Sequence, residues 1–201
     1  MRITGGRMRG RRLTAPKGRE IRPTSDRVRE AVFSMVGQDL QGLRVMDLFA
    51  GTGALGIEAL SRGGGRSLFV DNSVRALGLI RHNLVICGLE QAARVIRWDL
   101  RRGLPGETLV RGGRFDLVFM DPPYGRDLAF PVLESLGSSD LLGPDALVIV
   151  ETASGETLQL PEGPLRLLDS RAYGDTRIRL LTRKRGQGSN IENNPRSERT
   201  K

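Results

Sequence analysis

Cysteine and histidine each occur once in the 201 residues, as Cys87 and His82. No disulfide framework, Cys/His zinc cluster or histidine-based triad can be assembled from them. A reducing setting is expected, with no metal. Aromatic residues make up 4% of the chain, and Trp98 is the only tryptophan. Acids are outnumbered, 23 Asp and Glu against 32 Lys and Arg, which leaves a formal charge of +9. That imbalance suggests a polyanionic partner, nucleic acid above all. No stretch approaches the roughly 20 apolar residues of a membrane span. The opening Met1-Arg2-Ile3-Thr4-Gly5-Gly6 lacks the apolar stretch of a secretory signal, so a cytoplasmic protein is expected.

The positive charge is clustered. Residues 1–22 carry arginines at 2, 7, 9, 11, 12, 19 and 22 with Lys17, against Glu20 as the sole acid. This reads as a disordered basic arm or, given apolar beats at Ile3, Leu13 and Ile21, a small hairpin. Either form would track phosphates. Thr24 or Ser25 then looks like an N-cap, with Asp26 in the first helical turn. Val28, Ala31, Val32 and Met35 share one helical face, and Gly37 ends it.

From residue 43 the pattern alternates strand and helix. Strands are expected at 43–48, 66–71, 94–98, 115–120 and 146–151, with helices at 54–61, 73–87 and 127–136. A final antiparallel pair is expected at 165–169 and 177–182, turning at Tyr173-Gly174-Asp175. This is an α/β class chain with a doubly wound sheet and helices on both faces. We take 23–184 as one domain and the polar residues 185–201 as a disordered tail.

Asp121-Pro122-Pro123-Tyr124 follows the apolar strand Phe115–Met120. Ligands of open α/β sheets bind at that carboxyl edge. The prolines stiffen the backbone and bring no N–H of their own, leaving carbonyls to accept hydrogen bonds. A carboxylate, a bare carbonyl and a flat ring together suit a planar group with an exocyclic amine. The bland alternative is a strand-terminating turn with a packed tyrosine. At the first strand, Asp47-Leu48-Phe49-Ala50 leads into Gly51-Thr52-Gly53-Ala54-Leu55-Gly56. A G-x-G-x-x-G turn alone also marks dinucleotide-binding folds. Asp47 shifts the balance, since a carboxylate there would repel a pyrophosphate but suit an ammonium group, as in S-adenosylmethionine. Asp71, at the end of the second strand, suits both ribose hydroxyls, or serves as a helix-start acid before Asn72-Ser73. Asp99 either accepts from an adenine amine or is a surface loop acid. Cys87, mid-helix, reads as a small buried hydrophobe rather than a nucleophile.

With these motifs together, the chain resembles a class I S-adenosylmethionine-dependent methyltransferase with a Rossmann-like fold. That resemblance implies a mostly parallel seven-stranded sheet, an antiparallel terminal strand and a short basic N-terminal extension. The run Arg22-Pro23-Thr24-Ser25-Asp26-Arg27-Val28-Arg29-Glu30, the opening Ile3–Leu13 and the run Asp47–Gly63 resemble the RsmD family of 16S ribosomal RNA guanine-N2 methyltransferases. The match covers residues 1–183. It implies methylation of one guanine (position 966 in the usual 16S numbering) in the small ribosomal subunit. Asp47, Gly51, Gly53, Asp71 and Asp99 would line the cofactor site, flanked by Phe49, Ala50, Thr52, Asn72 and Leu100. Asp121, Pro122, Pro123 and Tyr124 would hold the base. The segment 22–30 would close over the methionine end of the cofactor. Arg7, Arg9, Arg11, Arg12, Arg22, Arg27 and Arg29 would meet RNA, although Arg27, Arg29 and Glu30 also read as a helix face with local ion pairs. A monomer is expected. The competing readings are a DNA adenine-N6 methyltransferase, a protein-glutamine methyltransferase, a non-catalytic RNA-binding assembly factor and an NAD-dependent oxidoreductase. The chain has no spare length for the target-recognition domain of the first, and a glutamine enzyme usually shows Asn in place of Asp121.

Overall fold

A computed structural model describes residues 1–15, 25–110, 112–123, 125 and 127–183. Tyr124, Arg22 and the tail expected at 185–201 lie outside the described residues. Chain order runs α1 (Asp26–Val36), β1 (Arg44–Leu48), α2 (Ala54–Ser61), β2 (Arg66–Asp71), α3 (Val74–Cys87), β3 (Ala93–Arg97), α4 (Glu107–Val110), β4 (Phe115–Met120), α5 (Ala129–Ser138), β5 (Leu142–Ala153), β6 (Leu165–Tyr173) and β7 (Thr176–Arg183).

The seven strands form one sheet in the order β3-β2-β1-β4-β5-β7-β6. β3, β2, β1, β4 and β5 pair in parallel, whereas β7 is antiparallel to both β5 and β6. The last described strand, β7, therefore inserts between β5 and β6. The central strands are apolar on both faces, as burial under helices demands. Met46, Leu48, Val118, Met120, Val148 and Val150 pack on one side; Val45, Leu117, Phe119 and Ile149 join Phe33 and Val32 of α1 on the other. Adjacent β1 and β4 set the strand-order reversal, the place where such sheets bind ligands.

The helix ends follow local chemistry. Ser25 caps α1, its hydroxyl accepting from Val28 N at 3.2 Å. Ser73 caps α3 through Ala76 N at 3.3 Å. Gly88, in the left-handed region at φ 64°, closes α3.

Residues 1–13 double back on themselves. Ile3 N donates to Arg11 O at 3.0 Å, Gly10 N to Ile3 O at 2.9 Å and Leu13 N to Met1 O at 3.1 Å. The tip docks on the end of α2, where Arg7 N and Met8 N donate to the Ser61 carbonyl and hydroxyl at 2.8 and 2.9 Å. Gly6 sits at φ 73°, and a Cβ there would lie 2.1 Å from Ser61 O, so only glycine permits this approach. Ile3 and Leu13 bury against Ala54, Ile57, Ile80 and Leu84.

Candidate active site

Registration of Leu48 with Met120 puts the two sequence motifs side by side at the carboxyl edge of the sheet. The Asp121 amide points at Leu48 O, 3.5 Å away. Asp121 is half-buried, Pro122 buried and Pro123 exposed. The exposed proline faces solvent at the rim while the carboxylate lies between rim and core.

On the β1 side the turn is wound tightly. Phe49, Gly51 and Gly53 have φ of 59°, 55° and 76°. Phe49 is the outlier there, because a side chain in the left-handed region costs energy and such residues gather at ligand clamps. The turn is anchored to its neighbour strand: Ala50 N donates to Val70 O at 3.1 Å and Gly51 N to Asp71 Oδ2 at 2.9 Å. The other Asp71 oxygen accepts from Ser73 N at 2.8 Å. Asp71 thus serves as a helix-start acid, and each carboxylate oxygen retains a further lone pair for a hydroxyl.

Asp47 is buried and accepts from Gly56 N, in the first turn of α2, at 2.9 Å. Burial pushes its carboxyl up to about 8, and the nearby Asp71 adds to the rise. The arrangement bears directly on ligand choice. A helix N-terminus binds phosphate through its unpaired N–H groups. Here one of those groups is already committed to a carboxylate, and the Gly51 N–H is committed to a second. A pyrophosphate would meet two acids, whereas an ammonium placed beside Asp47 would favour its charged form and pair with it. Glycine is required by close packing as well: a Cβ on Gly56 would lie 2.4 Å from the Phe69 ring.

Asp99 caps the 3₁₀ turn Leu100–Arg102, and both its oxygens accept from the Arg101 side chain, at 2.7 to 3.1 Å. This pairing holds its carboxyl below the ordinary range. Leu100 is buried and Asn72 exposed. Trp98 packs against the main core and donates from Nε1 to Gly103 O at 2.8 Å.

Arg7, Arg9, Arg11, Arg12 and Arg27 are exposed, as phosphate contacts require. Arg29 differs. Its side chain is 0% exposed and ion-paired with Asp26 at 2.7 Å and with Glu58 at 3.4 Å. It also donates to Arg2 O. A guanidinium so enclosed has no face for RNA, which corrects its assignment to the RNA surface. Periodicity on α1 had placed it among charged neighbours, and a buried acid one helix away decided otherwise.

That acid, Glu58, is the residue sequence reasoning missed. Arg62 Nη2 approaches its Oε1 at 2.7 Å, Thr4 N donates to Oε2 at 3.1 Å, and the Arg62 guanidinium lies 4.4 Å from the Phe33 ring centroid. α1, α2 and the arm are therefore joined by one buried carboxylate. A Glu within the apolar run Ala54–Leu60 was the available signal. Cys87 is buried, with burial raising its thiol pKa. Among the described residues no group of three His, Cys, Asp or Glu could hold a metal, and no helix is long and apolar enough to cross a membrane. An open cleft of about 550 Å³ beside Arg7, Gln41 and Gly63–Gly65 lies at the opposite, amino-terminal edge of the strands, away from Asp121.

Residues 1–182 match the family described as "Conserved hypothetical protein 95". The chain belongs to the RsmD family. YlbH of Bacillus subtilis is 37% identical over 188 residues, covering 92% of this chain and 100% of that protein. A protein of Haemophilus influenzae named ribosomal RNA small subunit methyltransferase D is 33% identical over 182 residues, covering 90% of this chain and 92% of that one. The solved structure of yhhF from Escherichia coli superposes with a TM-score of 0.79 at 32% identity, covering 92% and 98% of the two chains. The cofactor of this RsmD-family fold is S-adenosylmethionine. The Asp47 and Asp71 carboxylates beside a strained, glycine-rich turn fit its ammonium group and ribose.

Proposed function

We propose that this protein methylates the exocyclic N2 amine of one guanine in 16S ribosomal RNA of the small ribosomal subunit. One observation carries the reading. The acid-backed turn after β1 and Asp121-Pro122-Pro123 after β4 abut at a single point of the sheet. A methyl donor on one and an amine on the other would then face each other. Relatives named ribosomal RNA small subunit methyltransferase D support the RNA class, and the guanine follows from the family resemblance.

The bound cofactor supplies an electrophilic methyl on a sulfonium that already carries its leaving group. Asp47 and Asp71 would hold the amino-acid and ribose ends, with Phe49–Gly53 and Asn72 shaping the turn between them. Asp99 and Leu100 would border the adenine. The guanine amine is a poor nucleophile because its lone pair is delocalised into the ring. Asp121 accepts one N–H and the Pro122 carbonyl accepts the other. The nitrogen is drawn toward a tetrahedral shape with its lone pair aimed at the methyl. Asp121 also offsets the positive charge that grows on nitrogen, a charge discharged when one amine proton leaves to Asp121 or to solvent. Positioning of this kind is worth up to about 7–11 kcal/mol. By the family resemblance Tyr124 would stack on the base, which leaves its own stack to enter. The exposed arginines of the arm track phosphates nearby, and the protein acts as a monomer in the cytoplasm.

The test is incubation with methyl-labelled S-adenosylmethionine and small ribosomal subunits that lack the modification, beside an Asp121→Ala control. The expected result is label on a single guanine N2, absent in the variant. Label on adenine, or none on subunits or free 16S RNA despite cofactor binding, sinks the proposal.

A further inference from the structure

Asn83 is fully buried on α3. Its carboxamide reaches two segments at once. Oδ1 accepts from Thr14 N at 2.8 Å, while Nδ2 donates to Thr14 O at 3.1 Å and to Thr52 O at 3.0 Å. Both amide hydrogens are used, so the orientation of the group is determined by its partners. Thr14 closes the basic arm. Thr52 sits between Gly51 and Gly53, in the turn assigned to the cofactor. A second link lies alongside, since Thr52 Oγ1 approaches Met1 Sδ at 3.9 Å. The apolar surfaces agree: Ile3 and Leu13 of the arm share one cluster with Ala50 and Ala54 of the turn and with Ile80 and Leu84, which flank Asn83 on α3. Arm and turn therefore meet along one apolar cluster, and the Asn83 carboxamide is the side chain that hydrogen-bonds to both.

We infer that Asn83 is a positioning residue that couples the arm to the cofactor turn, so that RNA on the arm and cofactor in the turn tighten one another's binding. This rests on the RNA reading above. The Thr52 carbonyl is turned inward to the Asn83 amide, while the residues before it are anchored to β2. An arm pulled into one arrangement by RNA phosphates transmits that arrangement through Thr14 to the Thr52 carbonyl. Coupling between two binding sites is reciprocal, so either ligand reports it.

The experiment is calorimetric titration of the full chain with S-adenosylhomocysteine, with and without 16S RNA. In the wild type, RNA tightens S-adenosylhomocysteine by about fivefold or more. Asn83→Ala loses that gain and raises KM for S-adenosylmethionine. Its turnover at saturating substrates stays within about twofold, because Asp121 is untouched. Thr14→Pro removes the N–H that donates to Asn83 Oδ1, fixes φ at position 14 and leaves α3 untouched, and its denaturation midpoint beside that of Thr14→Ala separates loss of the link from a folding defect. It also loses the gain, whereas Thr14→Ala, which keeps both backbone bonds, retains it. RNA binding with no change in S-adenosylhomocysteine affinity in the wild type overturns the coupling alone. So does a full gain in Thr14→Pro. Failure of the wild type to bind 16S RNA overturns the coupling and the RNA reading together.

Discussion

Asp121 and Asp47 are carboxylates one strand apart with opposite duties. Asp121 is half-buried at the carboxyl edge of the sheet, and we expect Asp121→Ala to lower kcat by about 10²–10³ while S-adenosylhomocysteine affinity is unchanged, since a preorganised charge partner is worth that much. A parallel loss of cofactor affinity would move Asp121 out of the catalytic role. Asp47 is buried, and its folded pKa of about 8 stands above the ordinary 3.8. Between those values the native state keeps a proton that the unfolded chain releases. Stability of the ligand-free protein therefore falls as pH rises through that window. Asp47→Asn, which cannot ionise, should flatten the profile. Denaturation midpoints from pH 5 to 8.5 check this, and parallel curves for the two proteins would refute it.

At the scale of elements, the decisive joint is Glu58. Its carboxylate is 0% exposed and holds Arg29 of α1, Arg62 of α2 and Thr4 of the arm. Breaking a buried pair by removing one partner leaves uncompensated charge, at about 3–5 kcal/mol. Glu58→Ala is expected to lose that much stability in chemical denaturation. It should also free residues 1–15, read as faster proteolytic cleavage within the arm. Loss of stability with an equally protected arm would show that Glu58 serves only the α1–α2 contact.

For the whole molecule, the +9 charge is a statement about partners. Arg7, Arg9, Arg11 and Arg12 lie exposed on a loop that contains no acid. If each neutralises one phosphate, replacing any of them with alanine reduces the slope of log K against log salt by about 0.7–0.9. Binding weakens evenly across RNA sequences, and S-adenosylhomocysteine affinity stays constant. Titrations of 16S fragments over a range of salt measure the slope. Because Arg29 is enclosed, no change in slope is assigned to it.

The sequence by itself determined the order of the strands and of the longer helices, though not the short α4, because burial on both faces demands near-continuous apolar runs such as Phe115–Met120. It also marked the candidate site residues, since Asp47 with its glycines and Asp121-Pro122-Pro123-Tyr124 are local signals, while the pairing of β1 with β4 sets Asp47 and Asp121 at adjacent strands. Single-chain periodicity extended these elements imperfectly: β5 runs from Leu142 to Ala153, beyond the expected 146–151, because pairing with both β4 and β7 carries polar ends into the ladder. Only the tertiary structure decided which charges are buried. Arg29 and Arg27 are near neighbours in the same helix, and nothing local separates them. Glu58, some thirty residues away, draws one inside and leaves the other in solvent. The same holds for Asn83, a polar residue on a helix until folding brings Thr14 and Thr52 to its amide. Hydrogen bonds and ion pairs act over a few ångströms in space, whatever the separation along the chain.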